Sequence, residues 1–219
     1  MKFNNGILIA LIAAAGLSCD RNGGGGPAPN PSLEVTKSGV ISVDETWSSD
    51  SIYILTGRVV VDAGAELTVE PGTIIKGTEG DGANASVLIV SKGGTIDMQG
   101  TASQPIIMTS VLDNITVGQQ SGSNLDETDK GLWGGFIILG AASISADAST
   151  ALIEGLPSNE PWAIYGGTND ADNSGIISYV SVRHGGTLIG DGNEINGITF
   201  GGVGSGTTVE NIEVFATLD

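Results

Sequence analysis

Read for its hydrophobic and polar positions, the chain falls into three stretches. Residues 7–15 are an unbroken apolar run behind Lys2. Residues 20–32 are polar and rich in Gly and Pro. From about Leu33 onward, short β-branched runs alternate with Gly, Asn, Asp and Ser, and no segment shows a helical period. This pattern predicts an all-β domain over residues 33–219.

The short runs resemble one another. Val61 to Val69 lines up with Val90 to Met98, and Leu139 to Ser145 fits the same frame with one residue dropped. Each of these reads as a strand, a corner of small residues and another strand. A second cassette recurs near the end: Ile177 to Val182, Ile195 to Phe200 and Val209 to Val214. Its pattern is aliphatic, two variable residues, aliphatic, polar, apolar. The last two apolar positions share one face of a strand, and the first precedes a bend. Stacked units of this kind bury an aliphatic column that no single unit can bury. The expectation is a solenoid, a right-handed parallel β-helix. A β-sandwich is the alternative, but sandwich strands show longer alternation joined by hairpin turns.

The N-terminal stretch has the layout of an export signal over residues 1–18. Its apolar run is well short of the ~20 residues of a membrane-spanning helix. Cys19, the only cysteine, sits where a lipoprotein signal places its acylated residue, although Gly16 and Ser18 depart from the commonest form of that motif. Residues 19–32 read as a flexible tether. The expected address is the cell envelope, as an outer-membrane lipoprotein that is either periplasmic or surface-exposed. Acyl chains give stable anchoring at ~0.8 kcal/mol per buried methylene. With one cysteine, no intramolecular disulfide forms.

Composition narrows the partners. The chain carries 25 acids and 8 bases, a formal net charge of −17. That excludes nucleic acid as a partner, because phosphate binding needs clustered Lys and Arg. Divalent cations and basic partners remain open.

Several segments resemble a family of Bacteroidota β-helix lipoproteins: Gly64 to Gly77, Gly131 to Gly140, Ile153-Glu154-Gly155, Tyr165-Gly166-Gly167 and Glu194 to Thr207. The resemblance implies a right-handed parallel β-helix that is secreted or lipid-anchored, and it assigns no activity. Chains of that family run further than this one. Val214 to Asp219 closes a repeat without a polar cap, as expected of a fragment or an early stop.

Candidate chemistry is sparse. Asp170, Asp172 and Ser174, ahead of Gly175, approximate the opening of a calcium loop, but Ser181 stands where such a loop carries its bidentate Glu. An Asx-rich turn is the other reading of these residues. Arg183 lies within about one coil of that cluster and is the candidate base of a calcium-assisted polysaccharide lyase. His184 is the only histidine and reads as a turn residue. Trp162, after Pro161 in a loop, is the candidate sugar-binding aromatic, whereas Trp133 reads as a packed strand start. Asp50-Ser51-Ile52 resembles a short O-glycosylation acceptor. The favoured function is a non-catalytic binding or adhesive scaffold, with a glycan or another envelope protein as partner. The alternative is the lyase, using Asp170, Asp172 and Arg183.

Overall fold

The computed structural model describes residues 33–80, 82–156, 159–190 and 193–218. The expected signal, Cys19 and the tether lie outside the described residues. Among those described there is no α-helix, and only two short 3-10 turns interrupt the strands.

Strand register shows a coil with three faces. Face I stacks residues 33–37, 51–55, 74–77, 106–110, 180–183 and 212–215. Face II stacks 39–41, 58–61, 87–90, 135–139 and 198–201. Face III stacks 45–47, 66–69, 95–99, 175–178 and 208–210. Every ladder on these faces is parallel, which is the parallel β-helix expected and excludes the sandwich. Among the described residues the antiparallel strand pairs are two small ones in side loops, Ala151–Leu152 with Ile164–Tyr165 and Thr187–Gly190 with Asn193–Ile195.

Along face I, Ile52 pairs with Ile74, Ile74 with Ile107, Ile107 with Ser181 and Ser181 with Glu213. The steps along the chain are 22, 33, 74 and 32 residues. The long step holds two excursions, residues 111–134 between faces I and II and residues 140–174 between faces II and III.

Alternation divides the side chains. Leu55, Leu67, Ile75, Leu88, Val90, Met98, Met108, Ile138, Ile177 and Val182 fill the interior. The outward residues of face I, Ile52, Ile74 and Ile107, are covered by Ile115 and Val117 of the first excursion. Those of face II, Val60, Ile89 and Ile137, are covered by Ile153, Ala163 and Trp162 of the second. These strands therefore read as continuous apolar runs because they are buried on both sides. The 111–134 excursion is a flap, tied to itself by bonds from the Asn114 amide to Asn124 and from Asn114 Nδ2 to Ser123.

The first cassette holds where it forms a corner. Val61 stacks on Val90 and Val69 on Met98. Its third copy does not: Leu139 is on face II, but Ser143 to Ser145 leave for the second excursion, and Ile176 takes the place above Asp97. The second cassette holds between Ile177 and Val209, Val180 and Ile212, and Val182 and Val214. The Ile195 copy runs on face II instead, with Ile198 on Phe136. The bend between faces III and I is one residue in the left-handed region, Tyr179 at φ 49° in one coil and Asn211 at 55° in the next. Asn tolerates this conformation, while a bulky Tyr there is strained.

Candidate functional site

The flap covers face I over three rungs and ends. Beyond it, the outward positions are Ser181 and Arg183 in one rung and Glu213 and Phe215 in the next, three polar residues and one aromatic. A cavity of about 230 Å³ lies between these rungs and flap residues Asp113, Ser121, Gly122 and Leu125, with His184 at its edge.

Arg183 ends the strand Gly175–Arg183. Its carbonyl accepts a bond from the Trp133 indole at 2.8 Å. Its Nε donates to Ser181 Oγ at 2.7 Å, Nη1 to the Gln120 carbonyl at 2.8 Å, and Nη2 to Glu213 Oε2 at 3.2 Å. Ser181 also donates to Glu213 Oε2. These contacts, the Ser181 hydroxyl foremost and the Arg183 charge after it, hold the Glu213 carboxyl below its usual range.

The flap side is fixed from within. Asp113 is buried, with Oδ2 accepting from the Thr109 hydroxyl and Oδ1 from the Ile115 amide, both at 3.0 Å. Its carbonyl accepts from buried Lys76 Nζ at 2.7 Å. Burial lowers the Lys76 ammonium pKa, and the Asp113 charge opposes that shift. Gly122 is required where it stands, since a Cβ there would lie 2.0 Å from Asp113 Oδ1.

His184 follows Arg183 at φ 57° and is buried. Its Nδ1 donates to the Asp129 carbonyl at 2.7 Å, which leaves Nε2 as the acceptor nitrogen of the neutral ring. The ring meets Phe215 edge-on, with centroids 5.7 Å apart. It is a turn histidine, as expected, and also a wall of the cavity.

The acidic loop lies elsewhere. Asp170 Oδ1 accepts the Ser143 amide at 2.9 Å, Asp172 Oδ2 the Ser174 hydroxyl at 3.1 Å, and Asn173 Oδ1 the Gly175 amide at 2.9 Å. The Asn173 bond is an Asx turn at the foot of the strand that Arg183 ends, while Asp170 ties the loop to Ser143 and Asp172 holds the Ser174 hydroxyl; no hydrogen bond or ion pair described here joins the loop to Arg183. Ser181, at the position of a calcium loop's closing ligand, pairs with Glu213 instead. Among the described residues no group of three or more His, Cys, Asp or Glu side chains is gathered for a metal.

Trp162 is half-buried in the 3-10 turn Pro161–Ala163. It packs on the face II cover and also lines a groove of about 410 Å³ with Val40, Asp62 and Lys92. The Arg58 guanidinium lies 6.0 Å from its ring. Trp47 and Trp133 are fully buried. Ser51 is also buried and donates to Asp50 Oδ1 at 2.9 Å, so the folded domain hides that acceptor hydroxyl.

Sequence reasoning missed Asp113, Glu213 and Phe215. A signal existed for Glu213, because aligning the second cassette places it directly above Ser181. None existed for Asp113, which an irregular flap carries back to the coil.

No curated protein and no solved structure gives a significant match to this chain. A family model does match, that of the pectate-lyase-like β-helix domain, from residue 39 to residue 219. The match covers the coil stack from the first strand of face II onward, and the chain belongs to this family of pectate-lyase-like β-helix domains.

Proposed function

We propose that this protein is a lipid-anchored component of the cell envelope of the Bacteroidota type, held by Cys19. In this reading its β-helix is a non-catalytic binding scaffold for a glycan or another envelope protein. The state of Arg183 carries the non-catalytic part. To take a proton a guanidinium must first be deprotonated, and arginine side chains stay charged in proteins. All three guanidinium nitrogens of Arg183 already donate, one of them to a carboxylate. Such bonds hold the side chain as a fixed recognition element.

Family membership favours one rival, a calcium-assisted polysaccharide lyase. It is tested by incubating the full-length chain with calcium and a panel of acidic polysaccharides, following the absorbance of unsaturated uronate. The scaffold reading expects a flat trace. A rise abolished by Arg183→Ala would put the lyase first. Membrane fractionation of Cys19→Ala tests the anchor: release into the soluble fraction is expected, and unchanged fractionation would sink it.

A further inference from the structure

The outward column of face I reads Ile52, Ile74, Ile107, Ser181, Glu213. The flap buries the isoleucines and reaches Arg183 through the Gln120 carbonyl, and Ser181 is itself buried, whereas Glu213 and Phe215 of the last rung stay open. We propose that this open rung and the Arg183 behind it form a subsite for one neutral pyranose residue of a glycan, an inference that rests on the binding reading above.

Three observations converge on that class. The first is size, since about 230 Å³ is below the usual range for a drug-sized ligand and suits a single ring.

The second is charge. Arg183 faces Glu213 at 3.2 Å, and behind the wall the Lys76 ammonium feels the Asp113 charge, so each cation has a nearby carboxylate to balance it. Within the front pair, the exposed member is the carboxylate: the Glu213 side chain is 58% exposed and that of Arg183 16%. An incoming uronate meets the carboxylate first and is repelled. A sugar hydroxyl instead donates to it. Both bonds the structure gives Glu213 end on Oε2, so Oε1 is the oxygen placed to accept.

The third is the apolar wall. Phe215 is 40% exposed and its ring is steadied by the edge contact with His184. A pyranose has one C–H face that packs against an aromatic ring while its hydroxyls reach sideways to polar groups.

Calorimetric titration of the full-length chain tests this. The probes are neutral hexasaccharides of glucan, mannan, xylan and galactan, set against the galacturonate hexasaccharide. At least one neutral probe binds, and Phe215→Ala weakens it by about tenfold or more. Phe215→Tyr, which keeps the ring, retains binding and separates loss of contact from loss of fold. Glu213→Gln weakens the neutral probe and narrows its margin over galacturonate. Galacturonate binding tighter than every neutral probe overturns the proposal. So does an absence of neutral binding, or neutral binding that Phe215→Ala leaves intact. Neutral binding lost only in Trp162→Ala also sinks the subsite, yet leaves the scaffold standing; lyase activity would sink the scaffold itself.

Discussion

The first and last rungs of the coil stack occupy equivalent ladder positions and fill them with opposite chemistry. At the N-terminal end, Lys37 stacks on Leu55 and Glu45 on Leu67, so both project where inner coils place leucine. The two form an ion pair. Glu45 also accepts the Trp47 indole at 2.9 Å, Trp47 stacks on Tyr53 at 4.7 Å, and the Lys37 ammonium lies 5.8 Å from the Trp47 ring. At the C-terminal end, Val209, Ile212 and Val214 repeat the interior positions of Ile177, Val180 and Val182. Val182 is fully buried there, and Val214 is 46% exposed. An inward charge on an edge strand blocks further pairing, and an open apolar edge invites it. The first rung therefore carries its own cap, whereas the last described rung keeps the aliphatic residues of an interior one.

Like-for-like truncation is the strongest probe of that contrast. Val182→Ala is expected to cost about 2 kcal/mol in chemical denaturation and Val214→Ala under about 0.5 kcal/mol. Equal costs would mean that the C-terminal end is covered in solution.

Glu45→Leu strands the Lys37 ammonium at the mouth of the core, for an expected loss of about 1–2 kcal/mol. The double change Lys37→Leu with Glu45→Leu makes the two ends alike. Sedimentation should then show concentration-dependent self-association absent from the parent, and a monomer as clean as the parent would remove the capping role.

Tyr179→Asn, which copies the corner residue of the next coil, should stabilise by about 0.5–1 kcal/mol, read as a raised midpoint.

The smallest effect is on pH dependence. Because the folded-state pKa of Glu213 is depressed, its contribution is present above its unfolded pKa and lost as pH falls through the folded value. The acid limb of a melting-temperature profile should be shallower in Glu213→Gln. Lys37 has the opposite sense: burial lowers its folded pKa, so stability rises with pH between that value and the ordinary 10.5. Lys37→Leu should flatten the alkaline limb.

The fold was legible because repetition is visible without structure. Val61 on Val90 and Ile177 on Val209 could be aligned by eye, and each alignment is a rung. What could not be read was where the chain leaves the coil. Gly140 to Ser145 has the cassette's composition, yet after Ala142 the chain departs, because the residues that complete the rung, Ile176 and Ile177, come more than thirty positions later. The site suffers most from this. Arg183 stood out as a base among few, but its partners Gln120 and Glu213 lie 63 and 30 residues away. Stacking brings Glu213 to it, and the flap brings Gln120. Asp170 and Asp172 stood out by local spacing, and local spacing builds turns as readily as metal sites.

The 74-residue step from Ile107 to Ser181 also sets an order of assembly. Closing that loop costs about 1 kcal/mol more entropy than closing the 22-residue step from Ile52 to Ile74. The first coils can zip from local contacts, whereas the fourth waits for two excursions to settle. Trp47, in the first coil, should therefore reach its native fluorescence earlier in refolding than Trp133, whose indole bonds to Arg183 across that seam. A chain emerging N-terminus first would carry a formed base while the rungs of the proposed sugar subsite are still unpaired.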